Sequence, residues 1–176
     1  MRTSTIVGIL VTSLLLTACG GGGGGGGGAV PTTTPRFAYV ANQNDDTVSI
    51  YRVNATSGQL HHQGYVLAGN GPISVTVDPS GRFAYVANSL SDNVTTFRID
   101  ASTGALTEVG AEMLAGDAPV SVTVDPSGRF AYVANQLSDN VTTFRIDAST
   151  GALTEVGTEV LAGNTPFSVT IFGQFE

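Results

Sequence analysis

From Arg36 onward the chain alternates short apolar runs with clusters of Gly, Pro, Asn, Asp and Ser, and it carries no helical period. The runs read as four kinds of strand. Residues 73–77 form strand A, which ends in Asp78-Pro79-Ser80-Gly81. Pro at the second position and Gly at the fourth are what a type I turn prefers. Residues 83–87 form strand B and residues 94–99 strand C. Asp100-Ala101-Ser102-Thr103-Gly104 makes the next turn, and strand D runs from Ala105 to about Leu114. Strand B, Phe-Ala-Tyr-Val-Ala, is apolar on both faces, so its sheet is covered on both sides. Strand D carries Thr107, Glu108 and Glu112, which suits an outer edge facing solvent.

The whole pattern recurs. Its units open at Arg36, Arg82 and Arg129, at intervals of 46 and 47 residues, and divide the chain into 36–81, 82–128 and 129–176. A period in the forties fits one four-stranded propeller blade. The expected fold is therefore all-β, three four-stranded antiparallel blades of a partial or open β-propeller. Three blades are fewer than the four to eight that close a propeller ring. Residues 82–124 and 129–171 differ at only 7 of 43 positions (89, 111, 113, 117, 118, 120 and 124), which points to recent tandem duplication.

The first unit opens on a B strand, with only Thr32-Thr33-Thr34 between prolines ahead of it, and residues 167–171 read as an A strand with no B strand after it. The two ends are complementary. This predicts a homodimer through the terminal blades, each chain's last strand completing the other's first blade.

The N-terminal segment predicts export of the repeats. Arg2 precedes an apolar run at residues 6–16, which reads as the core of a signal peptide covering residues 1–18. The run is too short to cross a bilayer, which takes about 20 residues. Leu16-Thr17-Ala18-Cys19 resembles the lipobox of bacterial lipoproteins. That resemblance implies cleavage before Cys19, lipidation of its thiol and new amino group, and, with Gly20 rather than Asp next, residence in the outer membrane. The alternative is an ordinary signal peptide with a chance cysteine. Cys19 is the only cysteine, so no intramolecular disulfide is available. Residues 19–35 then form a linker. Its nine glycines, 20–28, hold the domain roughly 15–18 Å from the lipid on average. Loss of Arg2 leaves 6 Arg against 14 Asp and Glu, a net charge of −8, with no Lys. Such a chain is not a nucleic-acid partner.

The elements YVAN, DPSGRF and ID-x-x-TG-x-L resemble the repeats of the lactonase-like seven-bladed β-propeller family. That family includes 6-phosphogluconolactonase-type enzymes and surface proteins with YVTN repeats. The resemblance runs from Arg36 to about Ile171. It implies the propeller fold and, if activity is kept, hydrolysis of a sugar lactone. The departure is in copy number, because family members carry about twice as many blades or more. The expectation is an outer-membrane lipoprotein displaying a partial propeller as a binding or structural module. The alternative is a lactone hydrolase of the 6-phosphogluconolactonase type, or a remnant of one, for which no catalytic residue is assigned.

Candidate chemistry is confined to the blade rims. The B–C loops bring Asn42, Asp45, Asp46, Asn88, Asp92, Asn135 and Asp139 to one rim, which reads as a polar face for a protein or carbohydrate ligand. The competing reading is that Asn and Asp are there as turn formers bonded to local backbone. The D-x-D-x-D-G calcium loop is absent, as are G-x-S-x-G, H-E-x-x-H and paired cysteines, so no metal or cofactor is expected. His61 and His62 are neighbours on one strand and point to opposite faces, which excludes a shared metal. Arg36, Arg82, Arg129, Arg52, Arg98 and Arg145 recur toward the other rim. They read either as an anion site or as repeated pairing with Asp78, Asp125, Asp100 and Asp147, and pairing is the preferred reading.

Overall fold

The structure, a computed structural model, describes residues 36–173. The signal peptide, Cys19 and the glycine linker lie outside the described residues. The described chain forms three antiparallel sheets. The first contains β1 (Phe37–Asn42), β2 (Thr47–Val53) and β3 (Leu60–Leu67) in that order. The second contains β4 (Pro72–Val77), β5 (Phe83–Asn88), β6 (Asn93–Ile99) and β7 (Leu106–Glu108), with β8 (Met113–Leu114) also on β6. The third repeats the second as β9 (Pro119–Val124), β10 (Phe130–Asn135), β11 (Asn140–Ile146), β12 (Leu153–Glu155) and β13 (Val160–Leu161). These are three consecutive blades of a partial propeller. Sheets change at Pro72 and Pro119, about ten residues ahead of the sequence units. Each unit therefore hands its last strand to the following blade.

Local chemistry sets the hairpins. The Asp78 carboxylate accepts the N–H groups of Arg82 and Phe83, each at 2.8 Å, and Gly81 N–H donates to the Asp78 carbonyl at 2.9 Å. Gly81 takes φ of 70°, a conformation that only glycine adopts freely. The turn delivers β5 onto β4, and β5 then pairs β6 from Phe83↔Arg98 to Asn88↔Asn93 without a slip.

Alternate residues of β5 feed two cores. Phe83, Tyr85 and Ala87 join Val122, Ala131, Val133, Phe144, Ile146 and Leu153 of the third blade. Ala84 and Val86 join Val48 and Ile50 of the first blade, together with Phe97 and Leu106. Every residue of β5 is buried as a result. Burial of one such Phe contributes about 1.5–3 kcal/mol. The equivalent strands at the ends of the arc, β1 and β10, are covered on one side only and are partly exposed.

Two predicted strands differ in the structure. Strand D is not continuous in blades two and three. Gly110 and Gly157 turn the chain outward at φ of 71° and 70°, and the strand resumes at β8 and β13. The break lets Glu112 and Glu159 fold back onto strand C. In the first blade, which has one residue fewer, β3 runs unbroken and absorbs the mismatch as a bulge between Ile50 and Tyr51. Residues 167–171 have the A-strand sequence but join no sheet, for no following B strand lies beside them among the described residues. Val169 N–H reaching Ser121 Oγ at 3.2 Å holds them against β9.

Candidate functional site

The rim formed by the B–C and D–A loops is built from one repeated clamp. Asp46, Asp92 and Asp139 each sit at φ of 54°, which Asp tolerates better than most residues. That conformation aims the carboxylate across the blade boundary. Asp46 Oδ1 accepts Gly71 N–H at 2.7 Å, Asp92 Oδ1 accepts Ala118 N–H at 2.8 Å, and Asp139 Oδ1 accepts Thr165 N–H at 2.6 Å. The backbone carbonyls of the same residues accept from Ala68, Ala115 and Ala162 at 2.8–3.0 Å. Each aspartate thus ties a B–C loop to the start of the following A strand.

Asn88 and Asn135 do not reach the rim surface. Both are fully buried beneath it. Asn88 Nδ2 donates to Asn93 Oδ1 at 2.7 Å and to Thr95 Oγ1 at 2.8 Å. Asn93 Nδ2 donates in turn to Glu112 Oε2 at 2.6 Å. Asn135, Asn140, Thr142 and Glu159 repeat this network at matching distances. The donor direction is fixed, because Asn93 and Asn140 give their own amide protons to a glutamate. In the first blade Asn42 Nδ2 donates to Thr47 Oγ1 at 3.0 Å and Ser49 Oγ at 2.7 Å. Of the seven rim residues, Asp45 alone is exposed. Exposed Leu90 and Leu137, each 71% accessible, crown the same loops, which the polar reading of this rim missed.

On the opposite rim the expected Arg–Asp pairing is replaced by another arrangement. Arg82 and Arg98 lie 5.2 and 5.4 Å from the Phe83 ring centroid, and Arg129 and Arg145 lie 5.3 and 5.7 Å from that of Phe130. Two guanidinium groups thus lie over each phenylalanine ring, a cation–π arrangement. The aspartates are occupied by turn N–H groups instead. Burial works to raise the Asp125 carboxyl, but hydrogen bonds from Ser127 Oγ and from Phe130 and Arg129 N–H outweigh it and hold the group low. Asp100 is drawn down to about 2 by Ser102 Oγ and the N–H groups of Thr103 and Ser102, and Asp147 is drawn down to about 2 in the same way. Arg82 also donates to the Ala148 carbonyl of the next blade. A shallow groove of about 110 Å³ lies here between blades two and three, lined by Asp78, Ser80, Arg82, Ser127 and Ala148 among others.

His62 packs edge-on to Tyr51 at 5.4 Å and tilted against Tyr65 at 4.5 Å on the outer strands of the first blade. Among the described residues no three His, Cys, Asp or Glu side chains converge to hold a metal.

The sequence profile of the family described as lactonase, seven-bladed β-propeller matches residues 67–171, and the chain belongs to that family. No match is found among curated proteins. Among solved structures the chain is similar to a Bacteroides fragilis protein provisionally assigned as a 6-phosphogluconolactonase. The TM-score is 0.70 at 28% identity, over 76% of this chain and 38% of that one. It is also similar to the periplasmic gluconolactonase of Pseudomonas aeruginosa, with a TM-score of 0.67 at 26% identity over 74% of this chain and 38% of the other. A Lactobacillus plantarum protein shares the fold at 23% identity, with a TM-score of 0.68. The chain spans less than half the length of each of these structures.

Proposed function

We propose that the chain is an interaction module of the cell envelope, displayed from the outer membrane through a lipid on Cys19. One observation carries the reading. Asp46, Asp92, Asp139 and the buried asparagines are engaged by the blade scaffold, while the apolar strands β1 and β10 at the two ends of the arc stay partly open. Val40 on β1 is 42% accessible, whereas the equivalent Val86 on β5 is fully buried. Open apolar surface of this kind marks interaction sites. Asp45 with Leu90 and Leu137 offers a second, mixed edge for a protein or carbohydrate ligand.

The display half of this reading is tested by the intact mass of the chain extracted from envelope membranes. The expected product lacks residues 1–18 and carries added acyl mass on Cys19. A chain that keeps Met1, or a cleaved chain with unmodified Cys19, removes the anchor and the address with it.

A second reading, hydrolysis of a sugar lactone, is favoured by family membership. The Pseudomonas aeruginosa relative is named as a periplasmic gluconolactonase, so an export signal is no objection to lactone chemistry. Against it, Arg82 with Arg98 and Arg129 with Arg145 lie over Phe83 and Phe130, which divides these guanidinium groups between two blades.

A further inference from the structure

Neighbouring blades join through one junction that occurs twice. The leading face of a blade supplies a Phe ring and a Tyr hydroxyl. The following blade supplies a glycine turn that receives both. A Cβ on Gly104 would fall 2.3 Å from Phe37, and one on Gly151 would fall 2.3 Å from Phe83, so each ring sits where only glycine leaves room. Tyr39 OH donates to the Gly104 carbonyl at 2.9 Å, and Tyr85 OH donates to that of Gly151 at 3.1 Å. Burial in this junction pushes the Tyr39 hydroxyl up to about 12 and moves that of Tyr85 in the same direction. On the inner strands Val122 N–H completes the contact with Ser74 Oγ at 3.2 Å.

The two ends of the arc present the unmatched halves of this junction. On the third blade Phe130 and Tyr132 hold the positions of Phe83 and Tyr85, and both are partly exposed where their counterparts are buried. On the first blade Gly58 N–H closes a turn to the Asn54 carbonyl at 2.8 Å, matching Gly104 with Asp100 and Gly151 with Asp147. Gly58 keeps φ of 72°, and among the described residues nothing lies within 4 Å of where its Cβ would be. Its cradle is shaped and unfilled.

We propose that a second copy of this chain fills both ends. Phe130 and Tyr132 of each copy seat on the Gly58 turn of the other, and two arcs close a six-bladed ring. The proposal rests on the interaction-module reading and names its partner. The occupant follows from the continuity of the junction, since the missing half at either end is a surface this chain itself carries. A head-to-tail contact closes only when its rotation returns to the start. Six blades lie within the range of four to eight that closes propellers, and three do not. In that ring residues 166–171, with Phe167 now 68% accessible, come beside β1 of the partner, whose inner edge pairs with no strand among the described residues.

The full chain in non-ionic detergent is expected to sediment at twice the chain mass, with a melting temperature that rises with concentration. Gly58→Val fills the cradle and meets no other described residue of the single chain, at the cost of local strain at φ of 72°. Tyr132→Arg places a charge on the opposite half and carries no backbone strain. Each variant is expected to weaken the dimer roughly 30-fold or more, as loss of an interface anchor does, with the β circular dichroism retained. Mixing the two variants leaves one intact junction per pair and recovers part of the dimer. A wild-type chain that stays monomeric at high concentration and melts cooperatively overturns the proposal. So does an open ladder of larger species, or a dimer indifferent to both variants. None of these outcomes bears on lactone turnover, which decides the interaction-module reading separately.

Discussion

Replacing Phe83 by Ala is expected to destabilise the domain by about 3–5 kcal/mol, the range for removing a fully buried aromatic ring. Phe83 is 1% accessible and spans the second and third blades. Its ring fills the space over Gly151, so truncation opens a void that rigid backbone on both sides cannot close. The converse substitution acts on the same contact. Gly151→Ala places a methyl group 2.3 Å from the ring at a backbone φ of 80°. The left-handed conformation costs about 1–2 kcal/mol for an L residue, and overpacking adds about 1–3 kcal/mol. Either change takes a large share of the 5–15 kcal/mol typical of a folded domain. Urea unfolding of the full chain measures both. Unfolding midpoints within error of wild type for both variants would show that the blade junction is not what holds the arc together.

The second large effect lies beneath the rim. Asn88→Asp is expected to destabilise by about 3–5 kcal/mol at neutral pH, the range for an uncompensated buried charge. The substitution is nearly isosteric, but it replaces the Nδ2 donor with an acceptor facing Asn93 Oδ1. It also adds charge within reach of Glu112, whose carboxylate is already held by Asn93 and Thr95. Asn88 Oδ1 has no partner among the described residues, so the new carboxylate gains no compensating donor. Protonation restores a donor, so the penalty should shrink as pH falls. A variant as stable as wild type at neutral pH, or one whose deficit does not change with pH, would contradict the network's donor order.

The blade frame was legible in the sequence because its signals are local. The Asp-Pro-Ser-Gly turn and the two-faced apolar B strand need no knowledge of the rest of the chain, and β5 is buried along its whole length as that pattern requires. What stays hidden concerns side chains whose partners lie elsewhere. Asn88 is placed on the polar rim by its loop, but the Asn88↔Asn93 register turns it inward, and the carboxylate that completes its network lies 24 residues further on. Arg82 was read as the partner of Asp78. The aspartate instead takes that residue's own N–H, which frees the guanidinium to lie on Phe83. Asp46 reads as a ligand-binding group or as a turn former bonded to backbone, and the backbone its carboxylate holds is that of Gly71, one blade away. The break in strand D is hidden for the same reason, since the groups that Glu112 folds back onto, Asn93 and Thr95, lie on strand C.

The central claim is that this family member works through the surfaces of its arc rather than through a catalytic centre. The most direct test is to follow hydrolysis of glucono-δ-lactone, and of its 6-phosphate, by the purified full chain in a pH-stat. The account predicts acid release at the spontaneous rate at every protein concentration. Saturable turnover proportional to protein, lost on Arg82→Ala or Arg129→Ala while the β circular dichroism is unchanged, would contradict it and make the chain a lactonase.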